Sequence, residues 1–489
     1  MYRAMIGLLL AGATSLAGAQ GEVRLPDFGS SAGGVISPDE ERRIGESMLR
    51  EMRGFNLLLD DPELADYIES LGYRIVAQSD RPDQSFTFFL VRSEEINAFA
   101  APGGYVGINT GLFSTAESES ELAAVLAHEV AHVTQRHLVR AFESVKQASI
   151  PIALAMIGAI IAAQGSGSGD AAQAAVVGGT ALMQQQVINF TRHNEYEADR
   201  IGMTTLDRAE FDPVAMATFF GRMGRVHRVN GDSVPEMLRT HPVTTVRISE
   251  AKDRAEAIAN AGRKRAVHET SDFLRLRERA RVLGAERPEE LVRFYERSES
   301  LPEDVRDYGL GLAYARAGRA AEGAERLEAL LARQPDSVPH TLALAYAESL
   351  AGRRGAAIGR LERLRAARPD HRAVAIAYAD ELVATGDAKS AARAVLALRP
   401  LVADNDHDAR LQLAFARACE LAGDEVRAGE AHAEVALLSG RAEDALGQLN
   451  ALLKRSDVTY YQRARIEARI AQITPWALEQ RRRAVPEEA

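Results

Sequence analysis

The sequence contains little cysteine, few aromatic residues and no excess of positive charge, and these features limit the classes of protein to consider. Cys419 is the only cysteine among 489 residues, which excludes an intrachain disulfide and a metal site built from several cysteines. Aromatic residues make up 6% of the chain, while alanine, leucine and arginine are abundant, a composition typical of a helix-rich protein. The formal net charge of −10 gives no reason to expect nucleic acid as a partner.

A clear transmembrane span is also missing from the sequence. The apolar stretch 148–163 is shorter than the ~20 residues that cross a bilayer, and it contains Pro151 and Gly158. A glycine-serine segment at 165–169 separates it from further small apolar residues. Two interpretations of residues 148–183 therefore stay open. They form either a pair of core helices joined by a loop or a hairpin that makes peripheral contact with a membrane or a partner protein.

The N-terminus has the pattern of an export signal. Arg3 precedes an apolar run that ends at Ala17, and Ala17-Gly18-Ala19 fits a small-x-small cleavage site. We expect a signal peptide at 1–19, a flexible leader at 20–35 and export to the periplasm, with a retained membrane anchor as the alternative. The lack of paired cysteines fits a bacterial periplasm better than a eukaryotic secretory route.

Two histidines four residues apart form the strongest functional signal, in the sequence His128-Glu129-Val130-Ala131-His132. The apolar residues 122–127 precede them and predict a buried helix, whose start at Ser118 and Glu121 fits a capping box. Residues four apart lie on one face of a helix, so both imidazoles can bind one Zn²⁺ per chain. Glu129 is then placed to polarise a metal-bound water. A helix with two surface histidines is the alternative, but it conflicts with the apolar flank.

A catalytic zinc site usually has a third protein ligand, which we expect from a helix predicted at 189–208. Glu195 is the strongest candidate, and Asp199, four residues later on the same face, is placed to accept a hydrogen bond from a ligand histidine. Three other residues compete on physical grounds alone: Glu197, His193 and His137. We expect the first two to face solvent, because they lie about 200° around the helix from Glu195, and the third to point elsewhere.

A small β-sheet is expected directly before the zinc-binding helix. Residues 85–91 are rich in β-forming residues, and residues 96–108 predict a strand, a Pro-Gly-Gly turn and a second strand. An exposed edge of such a sheet can hold an extended peptide as an added strand.

A 34-residue repeat follows the catalytic unit. Gly318, Gly352 and Gly386 are spaced by 34 residues, and three apolar columns keep the same spacing. This period, with glycine between two helices, is the tetratricopeptide pattern, in which helical hairpins stack because one hairpin cannot bury its own apolar face. We therefore expect a zinc metallopeptidase domain at 36–265, a helical linker and solenoid at 266–475, and a charged tail at 476–489.

The metal-binding motifs resemble those of the HtpX/CAAX-prenyl-protease family of zinc metallopeptidases, which are gluzincins. Residues 128–132 match the HExxH motif, and Glu195-x-x-Ala198-Asp199 matches the family's ExxAD motif. The resemblance implies that Glu195 is the third zinc ligand and that Asp199 is the carboxylate beside it. The segments around Asn97-Ala98-Phe99 and Pro102-Gly103-Gly104 are similar to the family's substrate-side strands, which implies that Asn97, Ala98, Phe99, Gly103 and Gly104 lie on the substrate side.

A later segment, His241-Pro242-Val243-Thr244-Thr245-Val246-Arg247, is similar to the family's HPxxxxR element. The resemblance implies that His241 and Arg247 approach the site. These side chains would stabilise the oxyanion, or His241 would occupy the open zinc position in a resting state. A helix-capping role before Pro242 is the alternative for His241.

These features predict a mainly α protein, with a zincin-like metallopeptidase domain that contains a small β-sheet and a following α-solenoid of tetratricopeptide repeats. The export signal and the solenoid resemble a periplasmic branch of the family, which implies outer-membrane proteins and their assembly machinery as partners. The expected activity is zinc-dependent hydrolysis of peptide bonds in misfolded or stalled outer-membrane proteins. Two alternatives are a chaperone or adaptor with latent protease activity, acting through the repeats, and a membrane-embedded prenyl-protein protease.

Overall fold

The computed structural model describes residues 36–141, 191–230, 237, 241–260, 271–405 and 407–484. The predicted signal peptide and leader, the segment 148–183 and the domain boundary at residue 265 lie outside these residues. Helices dominate the described chain, and its N-terminal part contains a three-stranded sheet, which confirms the predicted mainly α class. Among the described helices, none is both long and apolar enough to cross a membrane.

The predicted metallopeptidase domain at 36–265, called the catalytic unit below, begins with two capped helices and the sheet. Helix α1 starts where Ser37 Oγ accepts a hydrogen bond from the backbone N–H of Glu40, and α2 starts where Asp61 accepts one from Leu64. Each cap satisfies an N–H group that the first helical turn leaves unpaired. The elements are α1 (Pro38–Gly54), α2 (Pro62–Val76), β1 (Thr87–Val91), β2 (Ala98–Ala101) and β3 (Tyr105–Asn109).

The strand order is β1-β3-β2, with β1 parallel and β2 antiparallel to the central β3. Strand β3 is buried along its whole length, and β2 lies at an edge of the described sheet. Gly103 and Gly104 form the turn between β2 and β3 with φ values of +79° and +87°. The predicted strand, turn and strand at 96–108 are therefore confirmed.

The zinc-binding helix predicted from the sequence is α4, and it is buried on nearly every face. Ser118 Oγ accepts from the backbone N–H of Glu121 at 3.2 Å, as a capping box requires. The Glu121 carboxylate accepts from the N–H of Glu117 instead of that of Ser118, so half of the predicted box is formed. The elements of this part are α3 (Thr110–Thr115), α4 (Glu119–Thr134), α5 (residues 191–208), α6 (Val214–Asn230) and α7 (Thr245–Asn260).

The C-terminal part is a succession of helices, and from the helix Pro288–Arg297 onward each packs against the next. Gly318, Gly352 and Gly386 end three of them with φ values of +80°, +75° and +78°. A Cβ at any of these positions would meet nothing within 4 Å, so the backbone conformation, and not space, selects glycine there. The tetratricopeptide assignment stays a prediction. The helices are α8 (Ser271–Gly284), α9 (Pro288–Arg297), α10 (Glu303–Arg316), α11 (Ala320–Arg333), α12 (Val338–Leu350), α13 (Arg354–Ala367), α14 (Arg372–Val383), α15 (Ala388–Asp404), α16 (Ala409–Ala422), α17 (Glu425–Leu438), α18 (Ala442–Leu453) and α19 (Tyr460–Ala484).

Helix α19 continues past residue 476, where the sequence predicts a charged tail. The guanidinium of Arg50 stacks on the Trp476 ring at 4.3 Å from its centroid, and Ala477 is buried. The predicted boundary therefore falls inside a packed helix, because Trp476 contacts α1, which lies far away in the sequence.

The helical repeats contact the catalytic unit along both α1 and α2. Arg53 of α1 donates a hydrogen bond to the Leu438 carbonyl at 2.7 Å. Arg372 of α14 pairs with Asp66 of α2 at 2.6 Å and also with Asp408. The catalytic unit is thus braced at two separate points by helices that come much later in the chain.

A buried ionic group joins α2 to α8 in the same region. Arg279 donates two hydrogen bonds to the Asp61 carboxylate, at 2.8 and 2.7 Å, and lies 3.2 Å from Glu63 Oε2. Burial raises the pKa of Glu63 to about 7, and the attraction of Arg279 only partly opposes this rise. One carboxyl of the group therefore carries a proton through part of the neutral pH range.

We predict that Glu63→Gln changes the pH dependence of stability. A carboxyl whose pKa is raised in the folded state favours folding fully at low pH, and this contribution is lost as pH rises from about 4.5 through about 7. Glutamine does not titrate, so the free energy of unfolding of the variant should increase relative to the unmodified protein across that window. Denaturant titrations at several pH values measure this difference. The matched control is Glu69→Gln, at an exposed position of the same helix. A constant difference between Glu63→Gln and the unmodified protein would contradict the prediction.

Candidate metal centre

Three separated segments bring four possible metal ligands together. His128 and His132 lie one turn apart on α4, Glu195 lies on α5, and His241 lies just before α7; their ligand atoms are within 4.8 Å of one another. The two Nε2 atoms of the α4 histidines are 3.0 Å apart. Glu195 Oε2 lies 3.5 Å from His128 Nε2, and its Oε1 lies 3.4 Å from His132 Nε2. Tetrahedral zinc with bonds of ~2.1 Å separates its ligand atoms by about 3.4 Å, so this donor set fits the ion.

Small residues allow α4 and α5 to approach closely enough for this arrangement. Ala131, Ala198 and Ile201 form a buried apolar contact between the two helices. A Cβ on Gly202 would lie 3.1 Å from both the Ala127 carbonyl oxygen and the His128 backbone nitrogen, so a larger residue at this position would push the helices apart. The alanine of the ExxAD motif is therefore a packing residue at the crossing of the two helices.

Asp199 and Arg247 lie directly behind the ligands. Asp199 Oδ1 is 3.0 Å from His128 Nδ1, the ring nitrogen on the side away from the other ligands. Buried Arg247 donates to both Asp199 oxygens, at 2.6 and 2.7 Å, and its Nη1 lies 2.9 Å from Glu195 Oε2 and donates to the Pro242 carbonyl. Arg247 approaches the site as expected, but its nitrogen atoms contact Asp199, Glu195 and Pro242. This geometry favours a role in holding two carboxylates over the predicted contact with an oxyanion.

The surroundings of the ligand cluster shift the pKa values of its side chains. Burial alone would raise the pKa of Glu195, but hydrogen bonds with His128 and His241 outweigh burial and hold it well below its usual range. Burial would lower the pKa of His128, but hydrogen bonds to Asp199 and Glu195 raise it to about 10. Burial and the neighbouring charge of His128 hold the pKa of His132 well below its usual value. Surroundings that hold an extra proton this firmly also favour a divalent cation, which would replace that proton.

Glu129 is completely buried beside the cluster. Neither of its carboxylate oxygens has a hydrogen-bond partner among the described residues, and the imidazole of His241 lies nearby, with its Nε2 3.8 Å from Oε1. A buried carboxylate without a partner is costly unless another molecule completes its hydrogen bonds. The water that attacks a peptide bond at a zinc site would do so, and the position of Glu129 fits the predicted general base.

Two expectations about the competing residues are wrong. His137 does not point elsewhere, because its Nδ1 lies 2.9 Å from His132 Nδ1, and Glu197 is half-buried against the other nitrogen of His137 instead of facing solvent. His193 is exposed, as expected. The expectation for His137 assumed that the helix of His132 continues to residue 137. Helix α4 ends at Thr134 instead, and Arg136 adopts a φ of +53°, which redirects the chain before the next helical turn. Sequence spacing alone gave no signal of this break.

The predicted substrate segment divides into two parts. Ala98 and Phe99 lie on the edge strand β2, and buried Asn97 precedes it. Gly103 and Gly104 lie in the following turn, where a Cβ at the first would be 2.5 Å from Arg42 Cα and one at the second would clash with the Ser85 carbonyl oxygen. Packing against α1 and against the residues that lead into β1 therefore explains both glycines, and peptide binding along the edge strand stays a prediction.

Comparison with known proteins agrees with this geometry. Residues 62–255 match the sequence family described as Peptidase family M48. The chain is 37% identical over 338 residues to the beta-barrel assembly-enhancing protease of Escherichia coli (strain K12), covering 68% of this chain and 67% of that protein. It is 37% identical over 318 residues to the putative beta-barrel assembly-enhancing protease of Vibrio cholerae, covering 64% of this chain and 65% of that protein. The mitochondrial metalloendopeptidase OMA1 of Schizosaccharomyces pombe is 30% identical over 221 residues, covering 45% and 62% of the two chains.

We predict that Arg247→Gln weakens zinc binding by about 10–100-fold, because residues that orient metal ligands commonly contribute this much to affinity. The variant loses the paired hydrogen bonds that fix Asp199 behind His128. Competition with a chromogenic chelator measures the affinity. Arg200→Gln is the matched control, since Arg200 follows Asp199 directly but is exposed and pairs with Glu250. Equal zinc affinities for Arg247→Gln and the unmodified protein would rule out the positioning role.

Proposed function

The chain belongs to peptidase family M48 and is a zinc metalloendopeptidase, and from this premise we propose that it acts in the periplasm on misfolded or stalled outer-membrane proteins and aids their assembly. The name of its bacterial relatives, beta-barrel assembly-enhancing protease, supports this choice of substrate. The predicted signal peptide at 1–19 supports the compartment. The same relatives support outer-membrane proteins and their assembly machinery as partners.

The observation that carries the proposal is the convergence of His128, His132 and Glu195 at distances that suit one zinc ion. In this proposal these three side chains hold the metal, and Asp199 orients His128. A carboxylate ligand leaves the site less positive than three histidines would. Zn²⁺, when bound, supplies Lewis-acid chemistry, because it lowers the pKa of a coordinated water toward ~7 and polarises the scissile carbonyl.

Glu129 is the general base and acid of the proposed reaction. Its buried carboxylate takes a proton from the attacking water and then returns it to the amine that leaves. The substrate lies as an added strand along β2, where backbone hydrogen bonds hold it and side chains beside Phe99 influence selectivity. The mode of binding requires an extended segment, which a misfolded or stalled protein supplies more readily than a folded one.

His241 has two possible roles, and its position bears on both. Its Nδ1 lies 3.0 Å from Glu195 Oε1 and 3.4 Å from His128 Nε2, so the imidazole occupies a place within the ligand set. We assign this arrangement to a resting state in which His241 is the fourth ligand. Withdrawal of the ring would open that position to water and substrate and leave the imidazole close enough to stabilise the oxyanion.

The position of His241 within the ligand set also supports a second candidate function, a chaperone or adaptor with latent protease activity. A site closed by His241 would cleave slowly, and the helical repeats would then carry most of the function by binding a protein partner. A membrane-embedded prenyl-protein protease stays the third alternative. Peripheral membrane contact through 148–183 stays a prediction.

We predict that Glu129→Gln keeps its zinc but loses about 10²–10⁴-fold in the rate of cleavage of an unfolded outer-membrane protein, because glutamine cannot accept the proton of the attacking water. Gel-based cleavage assays and metal analysis of the same samples provide both readouts. Glu210→Gln, at an exposed position, is the control for loss of one carboxylate from the domain. Unchanged cleavage by Glu129→Gln would defeat the enzymatic proposal and favour the chaperone.

A further inference from the structure

His132 has a second nitrogen that the metal does not use. Its Nε2 faces His128 and Glu195, and its Nδ1 points out of the ligand cluster toward His137. A neutral imidazole that offers the lone pair of Nε2 to a metal carries its proton on Nδ1, and that proton needs an acceptor. What lies behind His132 therefore decides how firmly its ring and its tautomer are fixed.

His137 fills this position. Its Nδ1 lies 2.9 Å from His132 Nδ1, and its own side chain is buried. Its other nitrogen, Nε2, lies 3.2 Å from Glu197 Oε2, and Arg140 Nη1 lies 3.1 Å from the same oxygen. Four side chains thus form a continuous line from the ligand cluster to a carboxylate that is paired with a guanidinium.

When a metal is bound to His132, the donors and acceptors along this line can be assigned in only one way. His132 donates from Nδ1 to the lone pair on His137 Nδ1, so the proton of neutral His137 sits on Nε2. That N–H in turn donates to the Glu197 carboxylate, which cannot donate when it is ionised. Every donor meets an acceptor in this arrangement, as a buried polar chain requires.

His137 does not take part as a metal ligand. It contacts His132 through the nitrogen opposite to the one that faces Glu195, so a metal held by that face lies on the far side of the His132 ring. The four-residue cluster of possible ligands accordingly does not include it.

We propose that His137 is a positioning residue that fixes the ring and the tautomer of His132, with Glu197 and Arg140 as its anchor. The inference rests on the proposed role of His132 as a zinc ligand. His128 is oriented directly by the Asp199 carboxylate, so the two ligand histidines are positioned by different side chains. Helix α5 contributes to both, because it carries Glu195 and Asp199 on one side and Glu197 on another.

The test compares zinc affinity in the full chain for His137→Phe and His137→Asn by chelator competition. Phenylalanine fills the space but offers no acceptor, so we expect affinity to fall by about 10–100-fold. Asparagine places its Oδ1 near the position of the lost Nδ1, so affinity should stay close to the unmodified value. His193→Phe is the matched control, since His193 lies on α5 but is exposed. The visible spectrum of the Co²⁺-substituted proteins reports the ligand geometry directly, and it should change in His137→Phe but not in His137→Asn.

A measurement without any variant covers the case in which His137→Phe does not fold. Histidine ¹⁵N resonances of the zinc-loaded, unmodified protein should show His137 protonated on Nε2 and not on Nδ1. The opposite tautomer, or a His137→Phe variant with unchanged zinc affinity and Co²⁺ spectrum, would overturn the positioning role. Failure of the unmodified protein to bind zinc would instead contradict the proposed metal centre itself, so the two failures are distinguishable.

Discussion

The close crossing of α4 and α5 is the constraint on which the rest of the site depends. Ala131, Ala198 and Gly202 leave so little volume between the helices that Gly202 has no room for a methyl group without pressing on the α4 backbone. Because the helices are this close, a short carboxylate side chain on α5 reaches the histidines of α4. The metal-binding motifs therefore include small residues that let the two helices pack closely as well as residues that can bind the metal.

Around this crossing the buried charges are arranged in layers. The ligands contact Asp199 and His137, and these contact Arg247 and Glu197 in turn, so hydrogen-bond donors and acceptors alternate outward from the metal position. Burial makes each unpaired charge costly, and the alternation removes that cost for most members. Glu129 is the exception, since no described residue satisfies its carboxylate, and a strained or unsatisfied group of this kind is expected where the chemistry takes place.

The sequence predicted the parts of the site that depend on local periodicity or on a specific motif. The pairing of His128 with His132, the expectation that Glu195 lies near both, and the strand-turn-strand segment before α4 all agree with the structure. The contacts of His137 and Glu197 were missed because they depend on a backbone reversal at Arg136, which no periodicity reveals. The charged tail predicted from residue 476 begins inside α19, where Trp476 packs on a residue of α1 that lies far away in the chain.

The central claim is that the side chains of α4 and α5 together hold one zinc ion, and metal analysis of the purified full chain beside its Glu195→Gln variant tests it most directly. The account predicts about one zinc per unmodified chain, and a variant that loses most of its metal to a chelator under conditions in which the unmodified protein keeps its own. An unmodified chain that contains no zinc, or a variant that retains it equally well, would contradict the account.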